Sequence, residues 1–381
     1  MNSKTICFVS ALFYPHSGGV ERYTYQLSKK LVDMGHKVIV LTTNTENVQS
    51  CEIMDGIIIY RLPIFSKLGS RYPVLKPNSD YFALLKTIKA ESFDCFVINT
   101  RFYLTTLLGL NLARKKNIPA IIIEHGTGHF TINNKVFDFM GRIYENGITK
   151  RVKSYHPKFY GVSQACNTWL KQLGIEASGV LYNGVDANYP IKLGTNFKEK
   201  FNIPEKGMVV TYAGRLIKEK GAFEFLVAAN HIACKNSGIY FFIAGNGPLL
   251  SDLMKKNSSP GNIFILGSLD YDNIMSLLYQ SDVLVNPSKY PEGLPTIILE
   301  AGINKCAVIA TPQGGTTEII INDDHGIMIR TGNSKDIVDS IIRLNENPHH
   351  LNLLANNIHE KIKKEFDWNV LAINFLKKLS A

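Results

Sequence analysis

A chain of 381 residues exceeds what one ordinary hydrophobic core organises and suits two domains of up to about 200 residues each. Its 45% hydrophobic and 19% charged residues are those of a soluble globular protein, and no apolar run approaches the roughly 18 residues of a membrane span. The formal charge of +10 is unevenly placed: residues 1–190 carry 22 Lys and Arg against 13 Asp and Glu, the remainder 20 against 19.

Along the chain, strand-like apolar runs alternate with longer amphipathic stretches. Thr5–Ser10 is predicted as a strand, Val20–Met34 as a helix and Lys37–Thr42 as the next strand, with Gly35-His36 turning between them. The first apolar stretch is short and runs into Pro15 and Gly18-Gly19, so it reads as strand and loop rather than as a signal peptide, and a cytoplasmic location is expected. Ile57–Leu62, Cys95–Asn99, Ala120–Glu124, Phe159–Val162 and Gly179–Tyr182 continue the series. Tyr182-Asn183-Gly184-Val185-Asp186 then ends it, and a polar linker without periodicity follows to residue 207. The pattern restarts with Met208–Ala213, Ile239–Ala244, Ile263–Leu266, Val283–Asn286 and Ala307–Ala310. Trp368 to Leu379 reads as a closing helix with Trp368, Leu371, Phe375 and Leu379 on one face. Continuous apolar strands separated by helices imply two α/β units, each a doubly wound parallel sheet.

Six cysteines, Cys7, Cys51, Cys95, Cys166, Cys234 and Cys306, form no C-x-x-C pair. Neither a disulfide framework nor a zinc site is expected, and Cys7, Cys95 and Cys306 sit in apolar runs as small buried hydrophobes.

Ligands of doubly wound sheets bind at the carboxyl ends of the strands, and the chemically pointed residues fall there. Gly18 and Gly19, in the loop Phe13-Tyr14-Pro15-His16-Ser17-Gly18-Gly19-Val20-Glu21, let a helix N-terminus approach phosphate, although paired glycines also serve a plain tight turn. In Gly214-Arg215-Leu216-Ile217-Lys218-Glu219-Lys220-Gly221, Arg215 and Lys220 leave one strand-end loop together. A fork donor and a point cation suit a diphosphate, most of all as it leaves and its charge grows. Gly245-Asn246-Gly247-Pro248 departs from a dinucleotide fingerprint and fits a backbone turn beside a nucleotide. The most informative stretch is Asn286–Ala301. A loop carries Glu292, and a helix begins near Pro295 and Thr296. Amides around Gly293 and Leu294 can meet an anion or a sugar, and Glu300 is a carboxylate in an otherwise apolar helix. Carboxylates accept paired hydroxyl hydrogen bonds, as vicinal diols of ribose and hexoses supply them. His125 ends the strand Ala120–Glu124; a lone strand-end histidine is by itself as compatible with a structural role.

Glu292 and Glu300 stand in an E-x7-E spacing. With the GGVE loop, the YNGVD linker, the GRL-x3-KG stretch and the GNGP turn in this order, the chain resembles retaining GT-B glycosyltransferases of family 4 (glycosyl transferases group 1), of the bacterial surface-polysaccharide or glycolipid type. The resemblance covers nearly the whole chain. It implies two Rossmann-like domains facing a central cleft: residues 1–186 for the acceptor, with helix 366–381 packing back on them, and residues 187–365 for a UDP- or GDP-sugar donor. It further implies retention of anomeric configuration and no metal or other cofactor. By match, Arg215 and Lys220 hold the diphosphate and Glu300 the ribose. Glu292 acts at the donor sugar's hydroxyls, and His125 lies beside that sugar as a second catalytic residue. Gly18 and Gly19 approach the phosphates, and Gly245, Gly247, Gly293, Leu294 and Pro295 complete the donor site.

A nucleotide-sugar epimerase of the same fold is one alternative. A glycoside hydrolase using Glu292 and Glu300 fits poorly, because a loop glutamate and one in the following helix do not face each other across a sugar, and Arg215 and Lys220 would have no role. A two-lobed binding protein would lack its export signal. The acceptor is expected to be a glycan or lipid-linked saccharide rather than nucleic acid. Arg142, Lys150, Arg151, Lys153 and Lys158, interleaved with Phe137, Phe139, Met140, Ile143 and Tyr144, suggest peripheral docking on an anionic membrane surface, or else an ordinary helix with a basic outer face.

Overall fold

The computed structural model describes residues 3–16, 18–65, 72–129, 135–189, 194–235, 238–259 and 261–380; Ser17 of the glycine loop and residues 190–193 of the expected linker lie outside the described residues. The chain divides into two compact units, Met1–Asn183 with Trp368–Ala381, and Gly184–Asp367.

The first unit runs β1 (Thr5–Val9), α1 (Gly19–Asp33), β2 (Lys37–Thr43), β3 (Cys51–Met54), β4 (Ile57–Leu62), α2 (Ser79–Ala90), β5 (Cys95–Asn99), α3 (Leu104–Lys116), β6 (Ala120–Glu124), α4 (Lys135–Lys153), β7 (Lys158–Gly161), α5 (Gln164–Gln172) and β8 (Ala177–Val180). Its sheet has the order β3-β4-β2-β1-β5-β6-β7-β8. Every pairing is parallel except β3 with β4. That hairpin turns on Asp55-Gly56, both at positive φ, the backbone a two-residue turn demands. The sequence reading has no strand at Cys51–Met54, and it places β8 two residues late: pairing already begins at Ala177.

The second unit runs α6 (Phe197–Lys200), β9 (Met208–Ala213), α7 (Ala222–Ala233), β10 (Ile239–Ala244), α8 (Leu250–Lys256), β11 (Ile263–Gly267), α9 (Tyr271–Tyr279), β12 (Val283–Asn286), α10 (Thr296–Ile303), β13 (Ala307–Ala310), α11 (Thr316–Ile319), β14 (Ile327–Met328), α12 (Ser334–Glu346) and α13 (Pro348–Glu365). The order is β11-β10-β9-β12-β13-β14, and all pairings are parallel. Both faces of this sheet are covered. Val210, Tyr212, Phe241 and Ile243 belong to one core, while their neighbours Val209, Ala213, Phe242 and Ala244 belong to another. Burial on alternate sides explains why these strands read as unbroken apolar runs.

The chain passes from the first unit to the second after Asn183 and returns at Trp368. Gly184–Asp186 goes with the second unit, not the first, because Val185 N donates to Phe366 O at 2.9 Å and Ala187 N to the Asp367 carboxylate at 2.9 Å. α14 (Trp368–Ser380) completes the first unit. Trp368 meets Tyr23 of α1 edge to face at 5.5 Å, and Phe375 stacks on Phe8 of β1 at 6.1 Å. Among the described residues all six cysteines are free thiols, and Cys7, Cys95, Cys166 and Cys306 are buried. No helix of the described residues is long and apolar enough to cross a membrane.

Candidate active site

In the second unit, three strand-end loops and the turn after β10 build one constellation. The loop after β9 lies against the turn after β10: Leu216 N donates to Asn246 O at 2.9 Å and Leu249 N to Leu216 O at 3.1 Å. A Cβ on Gly245 would sit 1.8 Å from Gly214 O, and one on Gly247 would sit 2.5 Å from Leu216 O. The two glycines thus let the turn seat the Arg215 loop backbone to backbone.

The loop after β12 docks on the same segment, with Lys289 N donating to Glu219 O at 2.7 Å. This brings Glu292 to Lys220, whose Nζ lies 2.6 Å from Glu292 Oε2; both side chains are partly buried. A third loop, after β13, holds Glu292 from behind. Gly315 N donates to Glu292 O at 3.1 Å, and Gly314, at φ +56°, packs so closely that a Cβ there would lie 1.8 Å from that oxygen. Arg215 is exposed at the rim of the constellation. It shares its surroundings with Glu292, since both act on the Tyr212 phenol. Burial and then Glu292 and Glu224 push the Tyr212 pKa up, while Arg215 pulls it down. The Tyr212 hydroxyl itself donates to Arg215 O at 3.1 Å.

Pro295 is the N-cap of α10 rather than its first helical residue, and no side chain caps the helix. Gly293 stands partly exposed just before it, whereas Leu294 and Pro295 are buried. Glu300 is 4% exposed, one turn into the same helix. Lys220 and Glu292 are therefore joined through their side chains, Arg215 stands exposed on the same loop as Lys220, Gly245 and Gly247 seat that loop through backbone, and Gly293, Leu294, Pro295 and Glu300 follow in the run into α10. Sequence reasoning missed Gly314 and Gly315; adjacent glycines in the loop that follows the predicted strand Ala307–Ala310 were the signal.

In the first unit, α1 begins at Gly19, with Gly18 as its N-cap. Glu21 folds back over this helix end, and a Cβ on Gly18 would meet Glu21 Oε2 at 2.4 Å. Gly18 thus makes room for a carboxylate of the protein itself, while Gly19 has open space. Burial raises the Glu21 pKa, against a backbone hydrogen bond and His16, whose Nδ1 lies 3.6 Å from the carboxylate.

His125 follows β6. Its Nε2 lies 2.9 Å from Asn99 Oδ1 at the end of β5, and the Tyr23 ring packs on it edge to face at 4.9 Å. Burial holds its pKa down to about 3. The loop behind His125 is fastened by a buried ionic cluster. Arg101 binds Glu124 at 2.6 Å and Glu145 of α4 at 3.1 Å, and His129 Nδ1 lies 2.8 Å from the same Glu145 oxygen. Glu124, Glu145 and His129 thereby join α4 to the residues around His125.

Two sequence families match the chain. The model described as "Glycosyltransferase Family 4" matches residues 17–189, and that described as "Glycosyl transferases group 1" matches residues 195–364. The chain belongs to the group 1, family 4 glycosyltransferases, and each of its units is one of the two parallel-sheet α/β domains of the GT-B fold. It is 26% identical over 379 residues, 96% of either chain, to the N,N'-diacetylbacillosaminyl-diphospho-undecaprenol alpha-1,3-N-acetylgalactosaminyltransferase of Campylobacter jejuni. In fold it is similar to the sucrose-phosphate synthase of Thermosynechococcus elongatus (TM-score 0.78, 18% identity, 98% of either chain). It is also similar to HepE of Anabaena, solved in complex with UDP-glucose (TM-score 0.74, 18% identity, 99% of either chain).

Proposed function

We propose that this glycosyltransferase moves a sugar from a nucleotide-sugar donor, with retention of configuration and without a metal ion, to a glycan or lipid-linked acceptor in the synthesis of a surface polysaccharide or glycolipid. The observation that carries the reading is the Lys220–Glu292 pair at 2.6 Å, ringed by three strand-end loops with Arg215 at its rim. Each of the two charges neutralises the other. An arriving diphosphate competes for Lys220 and joins Arg215, which frees the Glu292 carboxylate to accept hydroxyl hydrogen bonds from the sugar. The two cations then stabilise the diphosphate as it departs, the service a metal ion gives elsewhere. Glu300 receives the ribose, and His125 the donor sugar. The test is calorimetric titration with UDP-, GDP- and ADP-sugars, followed by NMR of the anomeric centre in the product. A product of inverted configuration, or turnover that needs added Mn²⁺ or Mg²⁺, would overturn the mechanism.

A lipid-linked acceptor is the chemistry in the Campylobacter relative's name, and α4 supports the same class here. The residues that α4 buries are Glu145, Thr149 and Val152. The apolar side chains of its first half point outward instead: Val136, Phe137, Phe139, Met140 and Ile143 are each 58–67% exposed. Arg142, Lys150, Arg151 and Lys153 are exposed on the same helix, and Lys158 just beyond it. An apolar face flanked by cations fits the headgroup layer of an anionic membrane, each cation contributing on the order of 1 kcal/mol. The reading therefore places the enzyme peripherally on the cytoplasmic face of a membrane. Cosedimentation with anionic vesicles at low salt, fading as salt rises, is the expected outcome. Absence of binding at low salt, with efficient transfer to a free soluble sugar, would overturn it.

A further inference from the structure

We infer that Thr24 and Asn99 are positioning residues that fix His125 in one tautomer, with the proton on Nε2 and a bare lone pair on Nδ1. The Thr24 hydroxyl donates its single proton to Val20 O, one turn back on α1, at 2.7 Å. Its oxygen can then only accept, and it does so from Asn99 Nδ2 at 2.8 Å. The Asn99 amide is thereby oriented, its carbonyl Oδ1 turned to His125 Nε2 at 2.9 Å. A carbonyl oxygen is only an acceptor, so Nε2 carries the proton. Burial keeps the ring neutral, which leaves Nδ1 unprotonated, and Nδ1 makes no hydrogen bond among the described residues. Tyr23, the neighbour of Thr24 on α1, fixes the plane of the ring from the side.

This assignment defines what His125 can meet. A neutral Nδ1 lone pair requires a partner that brings a proton. A sugar hydroxyl does so; a phosphate or carboxylate oxygen at neutral pH does not. His125 is thus a hydrogen-bond acceptor for a hydroxyl of the donor sugar and not a ligand of the diphosphate, a step that rests on its proposed place beside that sugar.

The experiment is ¹⁵N NMR of the full-length chain labelled at histidine, with His125→Gln to assign the resonance. The wild-type ring is expected as the neutral Nε2–H form. Thr24→Val is isosteric but removes the acceptor for Asn99 Nδ2, so the amide is free to turn and the Nδ1–H tautomer should appear. Transfer should fall about tenfold, the worth of one hydrogen bond. Thr24→Ser, which keeps the hydroxyl, should restore both. A wild-type Nδ1–H tautomer would overturn the relay, as would a Thr24→Val protein with unchanged tautomer. Transfer by His125→Gln at the wild-type rate, with the tautomers behaving as expected, would leave the relay standing and remove His125 from the donor site.

Discussion

Gly314→Ala perturbs the site without touching a charged group. At φ +56° a non-glycine residue costs about 1–2 kcal/mol. The added Cβ would fall 1.8 Å from Glu292 O, so one backbone must yield by roughly an ångström. That shift breaks the 3.1 Å hydrogen bond from Gly315 N to Glu292 O, worth about 1 kcal/mol. The sum of about 2–3 kcal/mol corresponds to a loss of about 4–12 °C in melting temperature for a unit of this size. The loss in transfer should be larger, since an ångström of misplacement at a reacting group costs about 10²-fold. Gly332→Ala is the control: its φ is +74°, but the nearest atom to a new Cβ is Lys289 Cε at 3.7 Å. It should melt lower by the conformational cost alone and transfer normally. Thermal unfolding and initial-rate assays on both variants decide the matter. Equal loss of transfer in the two, or normal transfer in Gly314→Ala, would refute the view that the Gly314 contact positions Glu292.

Arg215→Ala should weaken the free nucleoside diphosphate by about 1.5–3 kcal/mol in calorimetry, the range for a hydrogen bond to a charged group. Glu292→Gln should lower turnover with nucleotide affinity nearly intact, whereas Glu300→Gln should weaken nucleotide binding itself; the opposite result would exchange their roles. Chelator should leave transfer rates unaltered. The pKa of His125, about 3 folded against 6.5 unfolded, makes the unfolded chain take up the proton first as pH falls. Stability should therefore decline between pH 6.5 and 3, by up to about 1.4 kcal/mol per pH unit from this group. Urea unfolding at pH 7.5 and 5.5 should show a shallower dependence in His125→Gln.

Much of this architecture is legible because strands covered on both faces leave unbroken apolar runs, as at Met208–Ala213 and Ile239–Ala244. The β3–β4 hairpin escapes that signal. Cys51–Met54 is a short edge strand of mixed exposure, and the Asp55-Gly56 turn was the better clue. Motif spacing points to Lys220 and Glu292, yet their direct pairing depends on how three loops pack, which no single segment encodes. The role of Gly18 is likewise hidden, because it depends on where the Glu21 side chain folds. In α4 the pattern of apolar and basic residues was plain, but only the observed burial of Glu145 and Thr149 tells which face is inside.

The return of the chain to its first unit at Trp368 orders events during synthesis. β1 and α1 emerge first, and α14, on which Phe8 and Tyr23 pack, follows roughly 340 residues later. At about 5–20 residues per second this interval lasts about 20–70 s. Throughout it the apolar surfaces of Phe8 and Tyr23 that await Phe375 and Trp368 stay uncovered, exposed to chaperones and to other nascent chains. Gly184–Asp367, by contrast, is one uninterrupted stretch and has every segment it needs once residue 367 has cleared the ribosome. The unit that is begun second is the one that can be finished first.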